Sequence, residues 1–416
     1  MHRKTGKKIV YLSVAFLSFL GFVGLTGDVA SIIPSGKIKL WGDDSFYQSI
    51  LPLPNENFIA IAAGSYHNLG LRSNGTIAAW GENFFGEGNP PSPNEDFIAI
   101  SAGNGHSMGL KSNHSIVAWG GNQSGQCNVP LPNENFIAIA AGLRHSLGLK
   151  NGGTIVAWGL NYSGQCKVPL PNERFIAIAA GHYHSLGLKD NGTIVAWGGN
   201  GSNQCNVPSP NQGFIAIAAG FDNSLGLKSD GSVVAWGSDY YGQCKVPFPN
   251  ENFIAIAAGD IHGLGLKSDH TVVGWGYNVF GQCNTPLPNK NFMAIAAGGY
   301  HSVGIVGEDF TPPVISITAT PSILWPANKK MVAVKIQGSA IDNISGIASL
   351  TFKVKDEYGK VEPRLSDFGS FIQLEAWRNG NDMDGRLYTI TVTARDMAGN
   401  ESTASTTVLV PHDERK

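Results

Sequence analysis

Residues 133–171 read NENFIAIAAGLRHSLGLKNGGTIVAWGLNYSGQCKVPLP, and this 39-residue unit recurs along most of the chain without insertion or deletion. Its Trp-Gly pair returns at the same spacing throughout, with the indoles at Trp41, Trp80, Trp119, Trp158, Trp197, Trp236 and Trp275. A period of this length is typical of proteins built from stacked supersecondary units. The repeat therefore decides the architecture before any single residue does.

Each unit contains short β-prone runs separated by Gly- and Asn-containing turns. In the quoted copy, residues 136–141, 145–150 and 154–158 are apolar and β-prone. A shorter fourth strand is expected over residues 165–168, where Pro169 and Pro171 end it. Four short strands per repeat predict a β-propeller blade, and the lack of a helical apolar stripe disfavours a helical solenoid.

The ends of the array predict how it closes. Six complete units occupy residues 58–291, and half a unit remains at each end, over residues 37–52 and 292–306. Joined, the two halves make one more blade and leave no open edge strand. We therefore predict an all-β, seven-bladed β-propeller over residues 34–308, with one blade closed by both termini.

Two motifs of the unit resemble a known family. The A-A-G-x-x-H-S-L-G-L and A-W-G-x-N-x-x-G-Q patterns are similar to the regulator of chromosome condensation repeat. In blade length the unit looks most like the secreted bacterial β-lactamase-inhibitor propeller of that superfamily. The resemblance implies the propeller fold and allows an inhibitor-like role, but one fold hosts many activities.

Charge and motifs limit the function classes. Residues 34–310 contain 13 basic and 18 acidic residues, which argues against nucleic acid as a partner. The family founder's role in nucleotide exchange on a small GTPase is also disfavoured by this charge and by the export signal described below. No nucleophile-elbow, zinc-protease or P-loop motif is present in the sequence. We expect no catalytic residues, no cofactor and no enzymatic activity.

The differences between repeats fall in two windows, one after A-A-G and one after Trp-Gly. In an antiparallel blade, both loops leave from the same face of the ring. This loop face is rich in Tyr and Phe, which are favoured in binding hot spots. The predicted binding residues are Phe46, Tyr66, Phe84, Phe85, Arg144, Tyr162, His182, Tyr183, Phe221, Asp222, Tyr240, Tyr241, Asp260, Tyr277, Phe280 and Tyr300.

A protein is the expected partner of this face. One alternative is neutral variation of exposed loops, with the aromatic side chains packing on neighbouring blades. A second is a carbohydrate-binding or cell-envelope adhesion protein that stacks the same rings on sugars. A propeller-type lyase or hydrolase is a third, and acidic residues at the mouth of the central channel would favour it.

Two repeat positions carry reactive side chains. His67, His106, His145, His184, His262 and His301 share one position, at which the sixth copy has Asn223. We interpret them as structural hydrogen-bonding groups, because the repeats space them too widely for a shared metal ion. Cys127, Cys166, Cys205, Cys244 and Cys283 share another position and are interpreted as small buried thiols, with pairwise disulfides as the alternative.

The two ends of the chain differ from the array. Residues 1–30 combine a cationic start with an apolar run over residues 9–25, which predicts a signal peptide or an N-terminal anchor, hence a secreted or envelope-associated protein. Residues 311–416 lose the period and alternate as six strands, which predicts an Ig-like β-sandwich resembling the modules of bacterial surface proteins. Its 379–385 loop offers Asn381, Asp382 and Asp384 as calcium candidates, and a simple Asn/Asp/Gly turn is the alternative.

Overall fold

A computed structural model describes residues 35–307, 312–342, 347–359, 367–396 and 398–412. The chain divides into two compact units, Met1–Gly307 and Glu308–Lys416. The predicted signal peptide or anchor lies outside the described residues. Within them, no helix is long and apolar enough to cross a membrane.

The first unit consists of antiparallel groups of three strands, numbered in chain order; five groups are separate sheets, and the other two are joined in one six-stranded sheet, β20-β21-β1-β2-β3-β4. The first strands are β2 (Phe58–Ala63), β5 (Phe97–Ala102), β8 (Phe136–Ala141), β11 (Phe175–Ala180), β14 (Phe214–Ala219), β17 (Phe253–Ala258) and β20 (Phe292–Ala297). The second strands are β3 (His67–Arg72), β6 (His106–Lys111), β9 (His145–Lys150), β12 (His184–Lys189), β15 (Asn223–Lys228), β18 (His262–Lys267) and β21 (His301–Gly307). The third strands are β4 (Ile77–Gly81), β7 (Ile116–Gly120), β10 (Ile155–Gly159), β13 (Ile194–Gly198), β16 (Val233–Gly237), β19 (Val272–Gly276) and β1 (Gly36–Gly42).

The middle strand of each sheet is covered on both faces, and its sequence reflects this. In β9, every residue from His145 to Leu149 is buried. Gly148 is required there, because a Cβ at this position would lie 2.5 Å from the ring of Phe136 in β8. The Gly of the H-S-L-G-L motif therefore leaves room for the Phe ring of the neighbouring strand to lie directly on the backbone of the middle strand.

The apolar core is divided among the contacts between neighbouring sheets, which we call seams. At one seam, Leu147, Leu149 and Ile155 of one sheet pack against Phe175 and Trp197 of the next. The same set of side chains recurs at the following seams. Because each sheet buries its apolar face only against its neighbours, stability depends on the whole array.

The predicted fourth strand is wrong. After β10, residues 160–169 form consecutive turns and pair with no strand. The Asn161 side chain accepts the Cys166 amide (2.9 Å), and the Lys167 amide donates to the Gly164 carbonyl (2.9 Å). An Asn side chain that takes up backbone donors offers an alternative to a strand ladder, and the prolines that follow cannot donate to one.

The two ends of the array meet in one sheet. β1 pairs antiparallel with β21, from Gly36 opposite Gly307 to Gly42 opposite His301. The first strands of successive sheets contact one another, and β20 contacts β2 in the same way. A single further pair, Gly36 with Phe58, links β1 to β2. The first unit is thus an all-β, propeller-like repeat array, as the sequence predicts.

The C-terminal unit contains two three-stranded sheets. Its strands are β22 (Val314–Thr320), β23 (Met331–Ile341), β24 (Ile347–Asp356), β25 (Phe371–Glu375), β26 (Arg386–Asp396) and β27 (Glu401–Val410), in the orders β22-β23-β25 and β24-β26-β27. Both sheets contribute to one apolar core that includes Val334, Ile372, Ile390 and Val408. Arg386 is also fully buried, bonded to Asp356 at 2.6 Å. Such a charge is tolerated only when it is paired.

Candidate binding face

A hydrogen-bond network at the seams sets the position of the loops. The carbonyl of Gln126 accepts the hydroxyl of Ser146 (2.9 Å) and the indole N–H of Trp158 (2.9 Å). Because the Ser146 hydroxyl donates to Gln126, it accepts from Nε2 of His106 (3.0 Å). Two second-strand residues, one third-strand residue and one loop residue are thereby tied across neighbouring sheets.

Burial keeps these imidazoles neutral. Desolvation lowers the pKa of the seam histidines to about 3 at His67 and to about 4 at His106. Their Nε2 atoms bond to a Ser hydroxyl of the next sheet in five seams, at 2.8–3.0 Å. This is the structural role predicted for them. Among the described residues, no group of three His, Cys, Asp or Glu side chains could hold a metal ion.

Two seams depart from this pattern. His301 bonds to the side chain of Asn68 (2.8 Å) rather than to a Ser. At the other seam, Asn223 replaces the His, and Gly263 stands where the Ser would be. Within the part of the chain that the structure describes, the polar atoms of the Asn223 side chain have no hydrogen-bond partner. Both members of the pair differ together, as expected if each depends on the other.

The repeat cysteines are free, so the disulfide alternative is wrong. They are half-buried rather than fully buried, which corrects the prediction of buried thiols. The Sγ of Cys166 donates to the Leu160 carbonyl (3.2 Å), and the equivalent bond forms at each of the other four positions. Burial raises the pKa of these thiols to about 11, and to about 12 at Cys244, so they remain protonated.

Both variable windows lie at the same edge of the sheets. The Glu82 amide after β4 donates to the carbonyl of Tyr66 in the β2–β3 loop (2.9 Å), and Leu160 donates likewise to Arg144 (2.8 Å). The loop between the first and second strands of each sheet and the segment after its third strand are therefore hydrogen-bonded neighbours. The structure places the predicted loop residues together at this edge of each sheet.

The aromatic residues of the loop face form groups that bridge neighbouring sheets. Ring centroids of Tyr241 and Tyr277 are 4.9 Å apart, those of Phe280 and Tyr300 5.6 Å, and those of Phe46 and Tyr66 4.6 Å. A second group joins His182, Tyr183 and Phe221, and a third pairs Phe84 with Phe85 at 4.9 Å. The predicted residues are thus gathered in several clusters rather than in one.

Several of these rings are more exposed than packing alone requires. Tyr162, Tyr240 and Phe84 expose 94%, 86% and 80% of their surface, whereas Phe46, Phe85, Tyr183, Phe221, Tyr241 and Phe280 are about half as exposed. Arg144 is also exposed, and Tyr66, Tyr277 and Tyr300 are half-buried. The alternative of rings packing on neighbouring sheets therefore applies to part of the set only.

Polar groups of the loop face surround the mouth of a central cavity of about 90 Å³ lined by the A-A-G triplets. Here His182 Nε2 lies 2.9 Å from Asp260 Oδ1, although the two residues belong to sheets that are not neighbours. Asp222 accepts from the Gln204 amide (2.6 Å), and burial raises the pKa of its carboxyl. The His182 and Asp260 side chains therefore bond to each other beside the mouth of the cavity.

Sequence reasoning missed three acidic residues on this face: Asp43, Glu82 and Glu87. Asp43 and Glu87 are buried, and Glu82 is half-buried. The signal for Glu87 is present in the repeat, since it stands where the other copies have Gln. This position is otherwise constant, and constant positions were assigned to the scaffold rather than to the binding face.

The opposite face carries a row of exposed apolar side chains. In five copies, the residue between the two prolines of the P-x-P link is a large apolar side chain that is almost fully exposed: Leu53, Leu131, Leu170, Phe248 and Leu287. Each equivalent Lys or Arg at the end of the second strand lies over a Phe ring, as Lys111 does over Phe97 at 4.1 Å. This face is uniform in sequence, but it is not featureless.

The calcium candidates in the C-terminal unit have other partners. Asp382 accepts from the Tyr358 hydroxyl and from the Gly385 amide (3.0 Å). The same loop is closed by the Asp382 amide donating to the Asn379 carbonyl (3.1 Å). These contacts are those of an Asn/Asp/Gly turn, which was the alternative interpretation of Asn381, Asp382 and Asp384.

Comparison with known families identifies the repeat. A model of the regulator of chromosome condensation (RCC1) repeat matches residues 58–87, 97–126, 136–165, 175–204, 214–243 and 253–282. The array belongs to the RCC1 repeat superfamily. Each matched segment runs from the first strand of a sheet to the Gln or Glu position whose carbonyl ties the seam. The family motif therefore coincides with the seam network.

Solved structures of RCC1-type propellers resemble the chain. Prp20p from Saccharomyces cerevisiae, described for its binding to Gsp1p and histones, is 20% identical over 67% of this chain and 93% of its own, with a TM-score of 0.57. Human WBSCR16 is 17% identical over 65% and 99%, with a TM-score of 0.52. The ectodomain of the Physcomitrella patens receptor kinase CR4 is 24% identical over 67% and 73%, with a TM-score of 0.50. At these identities the likeness shows the fold alone, and no curated protein matches the chain.

Proposed function

We propose that this chain is an exported, non-enzymatic binding protein that recognises a protein partner through the loop face of a closed, seven-bladed propeller. The observation that carries the proposal is the set of exposed aromatic side chains on that face, held at fixed positions by the seams. Rigid scaffolds with variable loops are a recurrent design for binding, and exposed rings supply contact area at low entropic cost.

The pairing of β1 with β21 supports the closed ring, because it gives the sheet of β20 its third strand from the opposite end of the array. The contact between β20 and β2 supports it further. We also propose that the C-terminal unit, whose two sheets share one core, is an Ig-like module that acts as a spacer or surface tether. An inhibitor-like role is one form that such binding takes.

A carbohydrate ligand is the second candidate. It is favoured by Tyr162 and Tyr240, whose rings are almost fully exposed and suited to stacking on sugar faces. Binding of the full chain to a glycan array, abolished by Tyr162→Ala and Tyr240→Ala, would favour sugars over a protein.

The main test is capture of a partner from the native secretome with the full chain. The triple variant Phe85→Ala, Tyr183→Ala and Tyr241→Ala removes one ring from each of three regions of the loop face. Its matched control is Leu131→Ala, Leu170→Ala and Leu287→Ala, which removes three exposed apolar side chains from the opposite face. We expect the first triple to weaken capture by at least about 100-fold and the second to have little effect. Equal loss in both triples, or in neither, contradicts the proposal.

A further inference from the structure

One region of the loop face is acidic as well as aromatic. We call it the acidic quadrant, and it comprises Asp43, Tyr66, Glu82, Glu87, Asp260 and Tyr300. The Glu82 amide bonds to the Tyr66 carbonyl, and the Asp43 amide bonds to the Tyr300 carbonyl (2.9 Å each). The first bond lies within the group β2–β4 and the second within the group of β20, β21 and β1, and the rings of Phe46 and Tyr66 pack together between the two groups.

Three of the four carboxyl groups of the quadrant have no basic partner in the part of the chain that the structure describes. Within the described residues, neither Asp43, Glu82 nor Glu87 forms an ion pair with a basic side chain. Asp43 accepts from the Ser45 hydroxyl (2.6 Å), which carries no charge. Asp260 uses Oδ1 for His182, and no bond to its Oδ2 is found within the described part of the chain. A surplus of negative charge thus remains at this part of the face.

Glu87 is the most unusual of these groups. It is fully buried, its Oε2 accepts the Phe85 amide (2.7 Å), and its Oε1 has no partner among the described residues. The Phe85 ring covers the neighbouring backbone so closely that a Cβ on Gly105 would lie 2.9 Å from it. A buried carboxylate that is only half satisfied is unfavourable unless a cation balances it.

The charges of the quadrant act on one another. Burial and the Glu87 carboxylate raise the pKa of Glu82. Burial, Asp260, Tyr300, Glu82 and Asp43 raise the pKa of the Tyr66 hydroxyl. Burial is the larger cause of both shifts, and the neighbouring negative groups act in the same direction.

Aromatic rings border the same acidic groups. Phe46 lies against Tyr66, and Phe280 lies against Tyr300, with part of each Phe exposed. A guanidinium or ammonium group is attracted both to carboxylates and to the faces of such rings. Arg suits this combination best, because its planar group stacks on a ring while its N–H groups bond to carboxylates.

We propose that the acidic quadrant binds a cationic side chain, a guanidinium or an ammonium group, presented by the partner protein. This inference rests on the proposed function, because it assigns a chemical class to the partner of the same face. The negative charge selects the basic segment of the partner, and the rings provide its contact area.

The experiment uses the full chain and three fluorescein-labelled peptides with Gly-Ser spacers. They carry either three Arg, three Lys or three citrulline residues, the last being the neutral isostere of Arg. Fluorescence anisotropy should show that the Arg peptide binds at least about tenfold more tightly than the citrulline peptide. Equal binding of these two peptides overturns the inference but leaves the proposed protein-binding role intact.

Two matched double variants locate the site. Glu87→Gln with Asp260→Asn removes two charges from the quadrant, restores the repeat's own Gln and keeps a hydrogen-bonding group next to His182. Asp230→Asn with Asp269→Asn removes two charges from the opposite face, at turn positions where Asn74, Asn113 and Asn191 occur in other repeats. We expect the first double to weaken the Arg peptide by about tenfold and the second by less than about twofold.

The outcomes separate the two proposals. Equal weakening by both doubles shows general electrostatic attraction and overturns the inference. A captured partner that loses affinity with the aromatic triple but keeps it with Glu87→Gln and Asp260→Asn likewise overturns the inference, while the proposed function stands. A partner that keeps its affinity with the aromatic triple contradicts the proposed function itself.

Discussion

The seams and the loop face are built from the same 39-residue unit, but their residues differ in how much they vary between repeats. At the seams, the same buried His–Ser pair recurs in five of seven contacts, and the exceptions are Asn68 opposite His301 and Gly263 opposite Asn223. On the loop face, neighbouring copies carry Tyr, Phe, Asp, Arg or Gly at equivalent positions without a matching change. Buried polar groups must be satisfied pairwise, whereas exposed loop residues need no partner within the chain.

This difference separates scaffold from recognition. The seam atoms are fully buried and bonded between sheets, so a lost partner there has an energetic cost. The loop-face rings lie on turns held by backbone hydrogen bonds to the neighbouring loop, so they vary without changing the sheet. Glu87 belongs to both regions, since its carbonyl ties a seam while its carboxylate belongs to the acidic quadrant. Glu87 is therefore the residue at which scaffold and recognition surface meet.

Acidification should produce the largest effect, because it acts on six seams at once. The seam histidines have folded pKa values lowered to about 3 or 4 by burial, against about 6.5 when unfolded. The unfolded chain then binds more protons, so stability is complete above about pH 6.5 and falls as the pH drops toward the folded pKa. Each imidazole contributes about 1.4 kcal/mol per pH unit in that window.

Urea unfolding at several pH values measures this slope. Glu82 and Asp222, whose pKa values are raised mainly by burial, act in the opposite direction at lower pH but are only two groups. Replacing His106 by Asn, the residue found at position 223, should reduce the slope by about one sixth. Between about pH 6.5 and 5 the imidazoles of the unfolded chain become charged while those of the folded chain stay neutral. A free energy of unfolding that does not change over this range would contradict neutral burial at the seams.

The second prediction compares two aromatic residues of one repeat. Trp158→Ala removes a buried indole and its bond to Gln126, and should reduce the free energy of unfolding by about 3–5 kcal/mol. Tyr162→Ala, four residues later on the loop face, removes a ring that is 94% exposed and should change it by less than about 0.5 kcal/mol. Chemical denaturation of both variants measures the two changes in the free energy of unfolding. Similar losses in both variants would contradict the predicted difference between seam and loop face.

The third prediction concerns the coupling across a single seam. Ser146→Ala leaves the buried Nε2 of His106 without its acceptor and should cost about 1–3 kcal/mol. In a His106→Asn background the same substitution should cost at least about 0.5 kcal/mol less, since the bond is already lost. The exposed-turn substitution Ser115→Ala serves as the control. Additive costs at positions 106 and 146 would show that the seam pair is not energetically coupled.

Much of the fold follows from local residues. The 39-residue period, the three main strands of each unit and the placement of both variable loops at one edge were predictable from apolar runs, turn residues and strand parity. The fourth strand was not, because Asn161 and the free thiol of Cys166 satisfy the backbone of that segment through side-chain bonds. A β-prone composition does not show whether side chains or a neighbouring strand will bond to the backbone of a segment.

The candidate site was only partly predictable. Exposed Tyr and Phe could be assigned to the loop face by their repeat positions, but their grouping depends on which sheets are neighbours in space. The His182–Asp260 pair joins residues 78 positions apart, a distance along the chain that repeat spacing does not translate into contact. Burial of the Glu87 carboxylate likewise depends on the Phe85 ring and on the missing side chain at Gly105.

By itself, the sequence determined that this protein is an all-β array of RCC1 repeats, because a constant period with constant turn chemistry admits few other folds. It also determined which positions belong to the scaffold, since seven Trp-Gly pairs at one spacing act as an internal alignment. Only the tertiary structure decided that the His, Ser, Gln and Trp positions form one network, and that four carboxyl groups and their bordering rings share one region of the loop face. Those contacts join different repeats, and their energies depend on burial, which arises only when the sheets pack together.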